Sequence, residues 1–359
     1  MITAKPEFAN LSPYGVENRV VAPGKTPIPL DVNESLRPPS PAVGEAITAA
    51  LGQTHRYPDA GWAELRAKIA LVHELHADKI LCGPGSLELI GLLIRAFAGA
   101  GDEVLSTQYA YAYFRTATHI AGATYVAAPE AGMSVSVDAL LAAVTPRTRI
   151  VCLANPGNPT GTVIPAAEIR RLRDGLPATV LLIIDQAYGE FVDALAERVF
   201  DLVDRGDTVI FRTLSKAYGL AGIRVGWGLF PPEAATAIRK LQPPGSISGV
   251  SQAAAIAAVS DQAYMHETVA QTVHQREAFA TRLAEIGIET VPSRTNFILL
   301  RFSDRQAAKK AEQALRDEGV MPRAMGFYGL PDCLRITIGQ QAEMDLTAGT
   351  LARLMEVKK

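Results

Sequence analysis

The 359-residue chain is 48% hydrophobic, enough for a large buried core spread over about two domains or one large one. Its 35 basic and 37 acidic residues are scattered, give a net charge of −2 and form no basic stripe or charged tail, which argues against nucleic acid as a partner. Cys82, Cys152 and Cys333 are odd in number and show no Cys-x-x-Cys spacing, so neither a disulfide framework nor a cysteine zinc site is implied, and a reducing cytoplasm fits best.

Along the chain, residues 1–40 are proline-rich (Pro6, Pro13, Pro23, Pro27, Pro29, Pro38, Pro39) and read as an extended arm, docked through Phe8, Leu11, Tyr14, Ile28, Leu30 and Val32. The stretch Met1–Glu7 lacks the apolar segment of a secretory signal. Across 41–265, short apolar strands are expected at Glu103–Ser106, Thr124–Ala127, Arg149–Ala154, Thr179–Asp185, Thr208–Arg212 and Arg224–Leu229. Amphipathic helices such as Leu87–Phe97 and Ala166–Asp174 alternate with them. The most apolar run, Val180–Ile184, is too short to span a bilayer and reads as a buried strand. This alternation predicts an α/β domain with a mostly parallel sheet covered by helices on both faces. From 266 to 359 the texture changes to a smaller α+β domain. A long helix, Tyr264–Ile286, stops at Gly287; strands follow at Asn296–Arg301 and Leu334–Ile338, with a helix at Arg305–Glu318 between them and another closing the chain.

Polar residues cluster just after the predicted strands. Lys216 stands in Thr213-Leu214-Ser215-Lys216-Ala217-Tyr218-Gly219-Leu220-Ala221-Gly222-Ile223-Arg224, with two hydroxyls before it and a guanidinium eight positions on. Asp185 ends the most apolar strand, at the edge where parallel sheets place ligands, and Tyr188 follows. Asn155-Pro156-Gly157-Asn158-Pro159-Thr160-Gly161 is stiffened by two prolines and can present Asn158 rigidly. Gly83-Pro84-Gly85-Ser86-Leu87-Glu88 opens a helix; Ser86 can cap it, and the backbone N–H groups of Ser86 and Leu87 can receive a phosphate. Tyr111, after the first strand, offers a ring for stacking or for the core. Taken singly each motif is explained by turns, caps and packing. Together they supply an amine, a carboxylate, an amide, a phenol and an anion-binding arginine, the set needed to hold and use pyridoxal 5′-phosphate (PLP).

With His55-Arg56-Tyr57-Pro58-Asp59, Pro292–Phe297 and Tyr328–Gly339 added, the chain resembles the fold type I PLP-dependent aminotransferases, and within them the histidinol-phosphate aminotransferase family, from about residue 30 to 338. The resemblance implies that Lys216 takes the cofactor aldehyde as a Schiff base and shuttles protons, and that Asp185 pairs with the pyridine nitrogen. It implies that Asn158 and Tyr188 bond the ring oxygen, that Tyr111 stacks on the ring, and that Ser86, Leu87, Ser215 and Arg224 form the phosphate cup, with Thr213 among the cofactor-binding residues. Tyr57 matches a tyrosine lent to the neighbouring subunit's site, which implies a homodimer with shared active sites. Arg335 matches the arginine that grips the substrate's anionic end, Arg323 is a second candidate cation, and Tyr14 and Asn33 match positions that line the substrate pocket. No metal is implied. Leu87 stands where relatives carry an acidic or polar residue, and Pro243–Ser248 lacks the family's aromatic and asparagine. The expected reaction passes an amino group from L-histidinol phosphate to 2-oxoglutarate in two ping-pong halves. An aromatic or other amino-acid aminotransferase is the alternative, ahead of an amino-acid-phosphate decarboxylase or a non-enzymatic PLP-binding regulator.

Overall fold

Runs of branched apolar residues bounded by Gly, Pro, Asp or Asn become the strands of a seven-stranded sheet. The computed structural model describes residue 2, residues 22–193 and residues 197–356; Tyr14 and most of the expected arm lie outside the described residues. In chain order the elements are β1 (Ile28–Pro29), α1 (Pro41–Ala50), α2 (Ala63–His73), β2 (Ile80–Gly83), α3 (Ser86–Phe97), β3 (Glu103–Thr107), α4 (Ala112–Ile120), β4 (Thr124–Ala128), α5 (Val137–Ala142), β5 (Thr148–Ala154), α6 (Ala166–Gly175), β6 (Leu181–Asp185), β7 (Thr208–Thr213) and β8 (Gly226–Leu229). There follow α7 (Pro232–Leu241), α8 (Gly249–Ser260), α9 (Gln262–Glu285), β9 (Glu289–Val291), β10 (Phe297–Arg301), α10 (Arg305–Asp317), β11 (Val320–Met321), β12 (Arg323–Ala324), β13 (Cys333–Thr337) and α11 (Gln341–Glu356).

The large sheet has the order β2-β8-β7-β6-β5-β3-β4. β8 runs antiparallel to both its neighbours and every other pair is parallel, so the expectation of a mostly parallel sheet holds. All five residues of β6 are buried, as a strand covered on both faces requires. Two expectations need correction. Arg224 is not in a strand: it sits in the left-handed region at φ 60°, and β8 starts two residues later. Ser86 is not the cap of α3 but its first residue, and Gly85 stands at the cap position.

Besides a small cluster of Leu299, Met325, Leu330 and Cys333, there are among the described residues two large apolar cores. The larger packs α3, α4, α6 and α8 about the seven-stranded sheet. The smaller joins Leu30 and Leu36 to Phe279 and Leu283 of α9, to β10 and β13, and to α10 and α11. Its antiparallel sheet has the order β12-β13-β10-β9, and β1 pairs in parallel with β11 beside it. The expected long helix is α9, capped by the Asp261 side chain, which accepts from the Tyr264 N–H. Among the described residues no helix is long and apolar enough to cross a membrane.

Candidate active site

The carboxyl ends of β3, β5, β6 and β7 open into a cavity of about 290 Å³, the place where open α/β sheets bind ligands. Lys216, three residues past β7, lines it. Its Nζ donates to the carbonyl oxygens of Val32 at 3.0 Å and Asn33 at 2.9 Å. Burial pushes the ammonium down to about 7, helped by the Arg335 and Arg224 charges and opposed by Glu34 and Asp185. An amine so placed is about half neutral near pH 7, and that fraction is nucleophilic and able to accept a proton.

Asp185, the last residue of β6, is buried, and its Oδ1 accepts the Ala187 N–H at 3.0 Å. Burial pushes the carboxyl up to about 6, with the Ala187 N–H and the Lys216 charge pulling the other way. The Tyr188 hydroxyl accepts from Asn33 Nδ2 at 2.7 Å, its ring meets Phe297 edge-on at 5.3 Å, and burial pushes the phenol up to about 12. Tyr111 stands at the N-cap of α4, edge-on to Phe114.

One side of the cavity is built for an anion. α3 presents the N–H groups of its first turn, with Ser86 and Leu87 lining the cavity. Gly85 precedes them at φ 87°, and a Cβ there would lie 2.6 Å from Arg224 Nη2. Only glycine combines that backbone with so close a guanidinium. Arg224 is steadied by Nη1 donating to the Ala221 carbonyl at 2.9 Å. The Thr213 hydroxyl donates to Ser215 Oγ at 3.0 Å and accepts the Ser215 N–H at 3.2 Å.

A second cationic wall comes from the smaller core. Arg335 on β13 is 5% exposed; Nη1 donates to Asn158 Oδ1 at 2.6 Å and Nη2 to the Asp31 carbonyl at 2.7 Å. Its guanidinium lies 5.2 Å from the Phe297 ring centroid, and its Nε has no hydrogen-bond partner among the described residues. Arg323 on β12 is the residue directly opposite Arg335, and both line the cavity.

The structure thus brings together Asn33, Ser86, Leu87, Tyr111, Asn158, Asp185, Tyr188, Thr213, Ser215, Lys216, Arg224, Arg323 and Arg335. Tyr57 lies outside the cavity and is 99% exposed, and Tyr14 lies outside the described residues. Sequence reasoning missed Glu34 and Tyr328, which line the cavity, and Asn296, whose Nδ2 donates to the carbonyls of Asn33 and Glu34 at 3.1 Å each. Adjacency to Asn33 and to the Tyr328–Gly339 motif was the available signal.

Comparison with known proteins agrees with this geometry. The chain matches the family described as aminotransferase class I and II over residues 25–351. It is 43% identical over 353 residues to the histidinol-phosphate aminotransferase of Paramagnetospirillum magneticum, covering 97% of each chain. It is 44% identical over 315 residues to that of Ruegeria pomeroyi, covering 88% of this chain and 87% of the relative. Among solved structures it resembles histidinol-phosphate aminotransferase from Sinorhizobium meliloti in complex with pyridoxal-5′-phosphate, with TM-score 0.89 and 32% identity, over 93% of this chain and 92% of that one.

Proposed function

Because the chain belongs to the class I and II aminotransferases, we propose that it is a PLP-dependent transaminase passing an amino group from L-histidinol phosphate to 2-oxoglutarate. The observation that carries this reading is one cavity holding an amine and a buried carboxylate between two cationic walls. The residues present fit PLP: an N-terminal helix turn with Arg224 for a phosphate, Asp185 for a ring nitrogen and Lys216 for an aldehyde. When bound, PLP supplies an electron-withdrawing ring conjugated to a carbonyl carbon.

The chain's own groups have definable tasks. Lys216 Nζ, about half neutral at pH 7, would hold the cofactor aldehyde and, once released by the substrate's amine, would carry a proton to and from the substrate's amino-bearing carbon. Asp185 holds a proton at a ring nitrogen, its charge kept from water by burial. Tyr188 and Asn158 offer hydrogen bonds to a ring oxygen, and Ser86, Leu87, Thr213, Ser215 and Arg224 fix the phosphate. Arg335, aided by Arg323, grips an anionic group of each substrate in turn, phosphate in one half and carboxylate in the other. The Arg335 guanidinium at the cavity wall favours a phosphorylated donor over a neutral aromatic side chain.

The exposure of Tyr57 and of Leu51, the latter 55% exposed, supports a homodimer in which Tyr57 completes the partner's site. The three buried free thiols support a cytoplasmic setting. The two apolar cores support an arm at 1–40, a PLP-binding domain at 41–265 and a smaller domain at 266–359.

A donor screen tests the reading. The PLP-loaded protein is mixed with L-histidinol phosphate, phenylalanine or tyrosine and bleaching of the cofactor absorbance is followed. We expect kcat/KM for histidinol phosphate to lead by about a hundredfold, the worth of an anion held by a bidentate arginine. Preference for an aromatic acid overturns the donor, and carbon dioxide release without glutamate overturns the reaction class.

A further inference from the structure

Arg212, the residue before the last of β7, is 1% exposed and does not line the cavity. Its guanidinium is nonetheless tied to the loop that carries Asp185 and Tyr188. Nη1 and Nη2 donate to the two carboxylate oxygens of Asp193, at 2.8 Å each. Nη2 also donates to Gln186 Oε1 at 3.0 Å and Nε to the same oxygen at 3.2 Å. The Glu190 carboxylate lies 3.4 Å away, and the Phe200 ring centroid 5.3 Å away.

These partners follow the site residues directly. Gln186 is next after Asp185, Gly189 is next after Tyr188, and Thr213, the next residue after Arg212, begins the segment ending at Lys216. At Gly189 the contact is so close that a Cβ would lie 2.2 Å from Arg212 Cζ. The guanidinium therefore lies flat against the backbone of the turn. The Gln186 N–H donates to the Phe211 carbonyl at 2.9 Å, so the loop is pinned to β7 by backbone and side chain together.

We propose that Arg212 is a positioning residue: its fork locks residues 185–193 against β7 and thereby sets Asp185 and Tyr188 in place relative to Lys216. A guanidinium suits this task better than an ammonium, because two carboxylate oxygens, an amide oxygen and a flat backbone surface are met by one rigid plane. In the low-dielectric interior a lost member leaves charged partners behind, so the loop must shift to recover solvent. The catalytic consequence rests on the transaminase reading; the mechanical one does not.

The test compares Arg212→Lys and the milder Asp193→Asn with Arg173→Lys. Arg173 is equally buried, but its guanidinium donates to the carbonyls of Val180, Leu176 and Pro177, away from the cavity. Hydrogen exchange is measured on cofactor-free and PLP-loaded protein. Peptides spanning 185–193 and 213–219 should exchange at least about tenfold faster in the Arg212 and Asp193 variants and at the wild-type rate in Arg173→Lys. In the loaded enzyme the pH midpoint of the cofactor absorbance should move by about half a pH unit or more, with kcat falling about tenfold and KM within about threefold.

Unchanged exchange in those peptides, or equal acceleration in Arg173→Lys, overturns the proposal. Faster exchange with an unmoved midpoint and kcat overturns its catalytic half. If Arg212→Lys does not fold, Asp193→Asn decides. Wild-type protein that takes up no PLP sinks the transaminase reading while the exchange data still judge the lock.

Discussion

Replacing Lys216 by methionine should make the cofactor-free protein more stable at neutral pH, and the gain should vanish as the solution becomes alkaline. Lys216 is free to titrate at its usual 10.5 in the unfolded chain and at about 7 when folded. Between those values the unfolded state binds the extra proton, so wild-type stability rises with pH through this window and is lowest below it. A fall of that size corresponds to about 5 kcal/mol at most, at about 1.4 kcal/mol per pH unit. The amine faces a cavity that water can enter, so we take about 2–5 kcal/mol. Methionine forfeits the bonds to the Val32 and Asn33 carbonyls, about 1 kcal/mol each. The net gain is about 0–3 kcal/mol at pH 7, turning to a loss of about 1–2 kcal/mol near pH 10.5. Urea denaturation of both cofactor-free proteins from pH 6.5 to 10 measures the difference, and titration of groups beyond the reach of the Lys216 charge cancels between them. A difference independent of pH, or one that grows with pH, refutes the burial of this ammonium.

Other substitutions separate the two anion grips from the acid–base pair. Asp185→Asn should lower kcat by at least about a hundredfold with the fold retained, since a neutral amide cannot hold the ring nitrogen's proton; steady-state kinetics within tenfold of wild type would contradict its role. Arg335→Lys loses the fork that reaches Asn158 and the Asp31 carbonyl, so kcat/KM for histidinol phosphate should fall about 10–100-fold while PLP affinity stays within a few-fold, as read by cofactor titration. Gly85→Ala should do the converse: its φ of 87° and the 2.6 Å approach to Arg224 Nη2 should weaken PLP binding by tenfold or more, with KM for a saturating donor little changed once the cofactor is loaded.

The strands that carry the site were legible because each is a short run of branched apolar residues with a polar residue at its carboxyl end. Asp185 after Val180–Ile184 is the clearest case, and β6 ends on that residue. β2 was missed: Ile80–Gly83 is only four residues long, and its partner β8 lies about 150 positions away. α8 was missed for another reason. Its Ala-rich sequence packs against both α1 and α2, so apolar residues surround the helix and leave no stripe of period 3.6 to read. Arg224 was misplaced into β8 because apolar Ile223 and Val225 flank it, whereas the chain there turns through a left-handed residue. Pairings such as Asn33 with Tyr188, or Arg335 with the Asp31 carbonyl, join residues 155 and 304 positions apart and leave no local trace. The Arg212 lock was invisible for the same reason, since a charged residue inside an apolar strand reads only as an anomaly.

The segment 31–34 explains why so many of those distant bonds meet at one place. Leu30 and Leu36 on its flanks belong to the smaller core, while its own polar groups reach both. Its carbonyls accept from Lys216, Arg335 and Asn296, and its Asn33 side chain donates to Tyr188. Arg335 spans the same divide to reach Asn158. At the cavity, then, the two cores are joined by polar contacts of about 1 kcal/mol each, which water or a ligand can replace with little net cost. An anion that takes the Arg335 fork must compete with Asn158 and the Asp31 carbonyl, so ligand binding and the seating of the smaller core draw on the same bonds. Substrate recognition and core-to-core placement cannot vary independently in such an arrangement, and that is a physical reason for Arg335 to hold neutral oxygens rather than a buried carboxylate, which an incoming phosphate could displace only against a much stronger attraction.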